Sequence, residues 1–178
     1  MIRNSNNIAE QSGIIGDMQL PLANSIIRSS LFLREMEAIR EYEAERIFCR
    51  HDMEHLLAVA RIALIMCLEK GIEASRDLIY SAALLHDIGR GEQYRSGVPH
   101  DRAGVEVAER ILDGTDCDDD TRQAILGMIC THRSGSSANT PLEAVFAAAD
   151  KRSRLCFACK AQKECNWPAE KRNSELEV

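Results

Sequence analysis

The stretch FCRHDMEHLLAVARIA, residues 48–63, combines two histidines with the apolar spacing of a helix. Its apolar side chains recur every three or four residues, which is typical of a helix with one buried face. His51 and His55 are four residues apart, so on a helix they would share one face where the apolar stripe begins. The chain has only five histidines. If this pair does chemistry, the other three, His86, His100 and His132, should belong to the same site.

The helical pattern extends over most of the chain on both sides of this stretch. Helices are predicted at about 22–48, 52–70, 75–88, 101–113, 119–131 and 141–154, with a loop over 89–100. Ser75 and Pro141 are typical of helix starts, and Gly71 is typical of a helix end. There is no convincing alternating strand pattern and no repeat. The sequence therefore predicts an all-α fold of six or seven helices around one core.

Length and composition limit the class of protein. A chain of 178 residues fits one domain, and its core must be mainly aliphatic because only 4% of its residues are aromatic. A net charge of −6 argues against a nucleic-acid polymer or an anionic membrane as partner. A nucleotide substrate stays open because a metal can supply local positive charge.

The chain ends and its hydropathy give the expected organisation. No apolar run approaches the ~18 residues of a membrane span, and the N-terminus lacks the order of a secretory signal. We therefore expect a cytoplasmic protein with a flexible arm at 1–20, a helical domain at 21–155 and a cysteine-containing tail at 156–178.

An adjacent His-Asp pair occurs in ALLHDIGRG, residues 83–91. Neighbouring side chains on a helix diverge by about 100°, so both reach one metal only from a helix end or a distorted turn. Gly89 and Gly91 follow the pair and would permit such a distortion. Asp150 closes another apolar run, where a carboxylate is costly to bury unless it is paired or bound to a metal.

Together these motifs resemble the HD superfamily of metal-dependent phosphohydrolases over roughly residues 48–155. The resemblance implies a helical HD-type domain in which four residues hold a metal: His55, His86, Asp87 and Asp150. It also suggests that His51 protonates the leaving oxygen, as a histidine four residues before the ligand does in related cyclic-nucleotide phosphodiesterases. The alternative for His51 is a residue that caps the helix or supports a ligand.

The last two histidines extend the resemblance to HD enzymes with two metals, such as the symmetrical diadenosine-tetraphosphate hydrolases. This similarity implies that His100 and His132 hold a second metal and share Asp87 with the first. The alternative is that one or both contact phosphate. Imidazole and carboxylate ligands suit one or two ions of Fe, Mn, Co, Ni or Zn better than Ca.

Basic residues flank the candidate ligands, as expected for an anionic substrate. They are Arg50, Arg90, Arg95, Arg102, Arg133, Lys151 and Arg154. Substrate contact is predicted for Arg90, Arg95, Arg133 and Lys151, with a catalytic role for Lys151 beside His51 and Asp87. Ordinary surface charge is the alternative.

The resemblance implies hydrolysis of a phosphate ester or phosphoanhydride of a small, nucleotide-like substrate by metal-activated hydroxide. Two other functions stay open: a di-iron HD-type oxygenase, and a sensor that binds a metal or nucleotide without turnover. A homodimer is compatible with the sequence, but nothing in it requires one.

Seven cysteines form an odd set with no sign of export, so a disulfide framework is not expected. Cys67 and Cys130 are predicted core residues. Cys156, Cys159 and Cys165 have C-x2-C-x5-C spacing, which suits zinc, an iron–sulfur cluster or simple thiols. Three thiols do not close a tetrahedral site, so Cys49 or Cys117 would be the fourth only if the fold brings it close.

Overall fold

The computed structural model describes residues 19–133 and 138–176, which form eight α-helices and no strand. The helices are α1 Pro21–Arg28, α2 Ser30–Tyr42, α3 Met53–Lys70, α4 Arg76–Leu85, α5 Arg90–Ser96, α6 His100–Leu112, α7 Asp119–Thr131 and α8 Pro141–Arg152. Two single turns of 3-10 helix follow, at Cys156–Ala158 and Ala169–Lys171. None of the described helices is long and apolar enough to cross a membrane. The predicted all-α class is confirmed.

Two predicted boundaries were wrong. The helix predicted over 22–48 is divided at Ser29, whose backbone is extended at φ −63° and ψ 129°, and it ends at Tyr42. The loop predicted over 89–100 instead contains the seven-residue helix α5. The other predicted helices lie where expected to within a few residues. Residues 1–18 of the predicted arm lie outside the described residues.

Helix α4 lies at the centre of the fold and packs against α1, α3 and α7. Ile79, Ala82, Ala83 and Leu85 on this helix have no exposed surface. The last five residues of α4 are all buried, and a helix segment buried all round needs small or apolar residues on every face, which explains the sequence SAALL at 81–85. Because α4 ends at Leu85, the next residues, the His-Asp pair, lie in the middle of the molecule.

Capping residues define the ends of these helices. Ser75 Oγ accepts a hydrogen bond from the Leu78 N–H at 3.0 Å, and Gly71 ends α3 at a φ of 64°, both as predicted. The Asp77 carboxylate accepts from the N–H groups of Leu22 at 2.8 Å and Ala23 at 2.9 Å. A residue of α4 therefore caps α1, and this ties the start of the fold to its central helix.

Gly89 allows α6 to approach the turn that carries the His-Asp pair. A Cβ atom on Gly89 would lie closer than 3.0 Å to Gly104 N and His100 O. The φ of Gly89 is −77°, which any residue can adopt. The expected distortion of the backbone is therefore not the reason for this glycine: it is required for space, and the close approach brings His100 to the site.

Candidate metal centre

Asp87 lies at the centre of a cluster formed by all five histidines. Its carboxylate is buried in the turn between α4 and α5, and each imidazole presents Nε2 to it. The distances from Nε2 to the nearer Asp87 oxygen are 3.9 Å for His51, 3.4 Å for His55, 3.0 Å for His86, 3.4 Å for His100 and 3.7 Å for His132. All five histidines therefore lie around one carboxylate.

The two oxygens of Asp87 face different histidines. Oδ2 is the nearer oxygen to His55 and His86, whereas Oδ1 is nearer to His100 and His132. Two groups of ligand atoms within 4.8 Å of one another result: His55, His86, Asp87 and Asp150 in one, and Asp87, His100 and His132 in the other. Asp87 is the member that both groups share.

Backbone carbonyls orient two of these imidazoles. His86 Nδ1–H donates to Ala83 O at 2.7 Å, and His132 Nδ1–H donates to Ile129 O at 2.6 Å. Each histidine directly follows its helix, so the ring turns back onto a carbonyl of the last turn. A carbonyl can only accept, which places the proton on Nδ1 and leaves the lone pair of Nε2 directed at the cluster.

Side chains orient two further imidazoles, those of His55 and His100. Ser153 Oγ–H donates to Asp150 O at 2.7 Å, so at its contact with His55 Nδ1, 3.2 Å away, the hydroxyl accepts. His100 Nδ1–H donates to Gln93 Oε1 at 3.1 Å. The Nε2 lone pairs of His55 and His100 therefore also face the cluster.

These donors fit a metal ion. His55 Nε2 lies 3.3 Å from His86 Nε2, and His100 Nε2 lies 3.1 Å from His132 Nε2, so lone pairs face each other. Among the described residues, Asp150 Oδ1 is buried beside them without a hydrogen-bond partner. A cation between these atoms would satisfy all of them, and mixed nitrogen and oxygen ligands suit a divalent transition metal.

The electrostatics of the cluster favour positive charge at its centre. Burial lowers the pKa of His86, but Asp87 and Asp150 outweigh it and raise that pKa to about 10, so without a metal ion a proton occupies the position at Nε2 that the ion would take. Burial also opposes ionisation of Asp87, yet His86 and Arg90 hold its pKa well below the usual range. Burial and the charge of Arg90 lower the pKa of His100 to about 3, which keeps this imidazole neutral, as a ligand must be.

His51 is held differently from the other four. We expected His51 to lie on helix α3, but it precedes Asp52, the residue that caps the start of this helix. Its backbone N–H donates to Glu43 Oε2 at 2.8 Å, and its Nδ1–H donates to Glu43 Oε1 at 2.5 Å. Tyr94 Oη–H also donates to Glu43 Oε1, at 2.5 Å. The ring thus directs Nε2 towards Asp87 while a buried carboxylate holds its other nitrogen.

Glu43 stays ionised at this position. Burial raises its pKa, but the hydrogen bonds from His51 and Tyr94 outweigh burial and lower it to about 2. Burial and the same contact raise the pKa of Tyr94 to about 12. A carboxylate that is 2% exposed therefore carries a full negative charge next to the His51 ring.

A cavity of about 410 Å³ opens over the cluster. His51, His100, His132 and Asp150 line it, together with five basic side chains: Arg46, Arg90, Arg133, Lys151 and Arg154. Phe48 and Trp167 add aromatic surface, and the guanidinium of Arg154 lies 4.1 Å from the centre of the Trp167 ring. The cavity therefore combines metal-ligand atoms, cations and an aromatic face.

Of the four predicted substrate contacts, three line this cavity and one does not. Arg90 donates from Nε to Asp87 Oδ1 at 2.8 Å, so it neutralises the central carboxylate as well as facing the cavity. Arg95 is paired with Glu92 and Glu35 instead. The expectation for Arg95 was wrong because the supposed loop is helix α5, which turns this side chain away from the cavity.

The cysteines divide into two sets. Cys67 is buried as predicted, but Cys130 is exposed because α7 turns it away from the core. Cys156 and Cys165 line the cavity, and so does Cys49. Within the described residues, the groups of metal-ligand atoms that lie within 4.8 Å of one another include no cysteine.

Sequence reasoning missed the residues that orient the histidines. Glu43, Gln93 and Ser153 hold the Nδ1 atoms of three of them, yet no motif marks these positions. Glu43 is eight residues from His51 across an irregular segment, and Ser153 is 98 residues from His55. A metal-binding histidine generally needs an acceptor for its Nδ1–H, so such acceptors could be expected. Which residues serve as acceptors depends on how the helices pack.

Comparison with known proteins agrees with this architecture. The family model of the HD domain matches residues 52–155. An uncharacterized protein of Clostridium beijerinckii is 35% identical over 153 residues, which cover 86% of this chain and 96% of that protein. The chain belongs to the HD domain family, as the sequence motifs indicated.

More distant similarities concern parts of larger proteins or the fold. Ribonuclease Y of Nitratidesulfovibrio vulgaris is 27% identical over 103 residues, which are 58% of this chain but only 18% of that enzyme. A crystal structure of a predicted HD superfamily hydrolase from an uncultured Thermotogales bacterium superimposes with a TM-score of 0.59. The two sequences are 22% identical, and the superposition covers 80% of this chain and 79% of that one. This similarity confirms the fold.

Proposed function

We propose that this protein is a metal-dependent phosphohydrolase that cleaves a phosphate ester or phosphoanhydride of a small nucleotide-like substrate. The observation that supports this most directly is the convergence of five Nε2 atoms on Asp87 below a cavity with five basic side chains. Ligand atoms with free lone pairs supply a place for metal, and the cations supply a place for phosphate.

The first ion would be held by His55, His86, Asp87 and Asp150, and the second by Asp87, His100 and His132. Iron, manganese, cobalt, nickel and zinc all suit such ligands. Metal ions in sites of this kind activate water and stabilise the negative charge that develops on a phosphoryl group.

The side chains of the cavity would bind the substrate. Arg133 and Lys151 directly follow the proposed ligands His132 and Asp150, and both line the cavity. We assign phosphate binding to these two residues and to Arg90. The aromatic face of Trp167, with Arg154 against it, suits the base of a nucleotide. This combination favours a nucleotide over a small phosphomonoester.

His51 would deliver the proton to the leaving oxygen. Its Nδ1–H is committed to Glu43, so Nε2 is the atom that can carry and release a second proton towards the cavity. The hydrogen bond to Glu43 fixes the ring orientation and keeps Nε2 beside Asp87. Lys151 would offset negative charge on the phosphate during the same step.

The test is phosphate or nucleotide release by protein purified without oxygen or chelator. The panel comprises dinucleoside polyphosphates, nucleoside monophosphates, p-nitrophenyl phosphate and RNA. We expect turnover of a small nucleotide, lost in Asp87→Asn and retained in Asp116→Asn, which replaces an exposed aspartate away from the cavity. Oxygen consumption without phosphate chemistry, or cleavage of RNA alone, would contradict the proposal.

A further inference from the structure

Three of the seven cysteines line the cavity, and a fourth follows one of them closely in the chain. Cys49 precedes α3, while Cys156, Cys159 and Cys165 belong to the C-terminal segment. Cys49, Cys156 and Cys165 line the cavity, and Cys159 is three residues from Cys156, at the end of the same 3-10 turn. We call these four residues the thiol quartet. The fold thus brings Cys49 to the C-x2-C-x5-C motif, whereas Cys117 lies against a different cavity.

The C-terminal segment that carries three of these thiols is held by specific contacts. The Arg172 guanidinium donates to the carbonyl oxygens of Trp167 at 2.7 Å, Cys165 at 2.8 Å and Gln162 at 3.1 Å. One side chain therefore closes the loop that contains Cys165. The contact uses the backbone carbonyl of Cys165 and not its thiol.

A second side chain attaches the segment to the helical body. Asn173 Nδ2 donates to Lys151 O at 2.8 Å, Arg152 O at 3.3 Å and Arg154 O at 2.8 Å. Lys151 and Arg152 are the last two residues of α8, which also carries Asp150, and Arg154 follows this helix. The position of the cysteine loop is thus fixed relative to the metal centre.

Cys49 is positioned from the other side. Arg46 Nε donates to Cys49 O at 2.8 Å, which fixes the backbone of the irregular segment before α3. Burial raises the pKa of the Cys49 thiol, Arg154 lowers it, and the nearby Cys156 and Cys159 raise it again. The side chain of Cys49 therefore lies within electrostatic range of two other members of the quartet.

The spacing of the thiols selects between two kinds of ligand. A zinc ion with Zn–S bonds of about 2.3 Å holds its four sulfur atoms roughly 3.8 Å apart. In the described part of the chain, no three metal-ligand atoms that include a cysteine lie within 4.8 Å of one another. The sulfur atoms as they stand thus do not meet the spacing of a single zinc ion, whereas an iron–sulfur cluster binds each thiolate through a different iron and spans a wider gap.

We propose that the thiol quartet ligates an iron–sulfur cluster in the wall of the cavity. Arg46, Lys151 and Arg154 line the same cavity, and their charges would offset the negative charge of four thiolates. The cluster would fix the C-terminal segment against the body and so hold Trp167 in place. This inference does not depend on the phosphohydrolase activity.

The experiment is reconstitution of the full chain with ferric iron, a thiol reductant and sulfide in the absence of oxygen. Iron, zinc and acid-labile sulfide are measured in wild type, Cys49→Ala and Cys130→Ala. Cys49 and Cys130 are both exposed, so neither replacement opens the core, and circular dichroism checks the helices. We expect about four sulfides per chain in wild type and Cys130→Ala, and loss of most of that sulfide in Cys49→Ala.

Fluorescence gives an independent readout, because Trp167 is the single tryptophan and lies two residues after Cys165. A bound cluster should quench it, and Cys49→Ala should restore the emission. His55→Ala separates the two sites, since it should lower the metal content without lowering sulfide. Absence of sulfide after reconstitution, zinc bound by the quartet instead, or equal sulfide in Cys49→Ala and wild type would overturn the proposal.

Discussion

The substitution Glu43→Gln tests whether Glu43 positions His51 as a proton donor. The substitution keeps the shape of the side chain but removes the charge that accepts two hydrogen bonds from His51 and one from Tyr94. A hydrogen bond to a charged group contributes about 1.5–3 kcal/mol, which corresponds to roughly 10- to 150-fold in a rate that depends on it. We therefore expect kcat to fall by about 10- to 100-fold.

The size of this loss should depend on the leaving group. A nucleoside alkoxide needs a proton from His51, whereas p-nitrophenolate leaves without one, so the second substrate should lose about threefold or less. Metal content should not change, because Glu43 contacts none of the proposed ligands. Tyr94→Phe is the matched control: it removes one donor but keeps the charge, and should lose less than tenfold. An equal loss for both substrates would refute the role of His51 as proton donor.

The same variant has a stability effect with a defined pH dependence. The pKa of Glu43 is lowered to about 2 in the folded protein, against roughly 4.3 when unfolded. Its ionised form therefore stabilises the fold above about pH 4, on the order of 3 kcal/mol, and this contribution disappears as the pH falls towards 2. Denaturant unfolding should show Glu43→Gln as less stable than wild type at pH 7, with the difference narrowing below pH 4.

Three further substitutions test parts of the site and the fold. Ser153→Ala removes the acceptor for His55 Nδ1–H, and metal affinity measured by competition with a chelator should fall about 10- to 100-fold. Gly89→Ala places a methyl group against Gly104, and thermal unfolding should show a loss of about 1–3 kcal/mol or more. Asp77→Ala removes the acceptor at the start of α1 and should cost about 1–2 kcal/mol in denaturant unfolding.

Each of these variants has an outcome that would count against the structure. Unchanged metal affinity in Ser153→Ala would mean that another group orients His55. Gly114→Ala is the control for Gly89→Ala, because its added Cβ would meet only Ile111 O at an ordinary 3.5 Å. If the two glycine variants were equally stable, the close approach of α6 would be wrong. Wild-type stability in Asp77→Ala would exclude its contact with α1.

Local sequence features predicted most of the helical framework. Ser75, Gly71 and Pro141 mark helix ends through chemistry that operates within a few residues, and they act where expected. The short helix α5 was missed because its glycine-rich flanks are typical of a loop, and seven residues hold too few turns for periodicity to show. The break at Ser29 was missed because apolar spacing continues across it.

The candidate metal ligands could be predicted because histidine is a residue type with few other roles. Five histidines and an adjacent His-Asp pair identify a metal centre by composition and spacing, and the fold brings all six residues together. The substrate-binding residues were harder to predict, since an arginine has many ordinary roles. Arg95 pairs with Glu92 and Glu35, and only the structure distinguishes it from Arg90. No sequence motif identifies Glu43, because its contact with His51 depends on the turn between α2 and α3.

Metal content in the His100→Ala variant tests the central claim most directly. Elemental analysis is made on wild type and variant purified without oxygen or chelator, with iron matched by acid-labile sulfide counted separately. The shared position of Asp87 predicts about two metal equivalents in wild type and about one in the variant. One equivalent in both would contradict the second metal and assign His100 to substrate contact. No metal in either would contradict the metal centre itself.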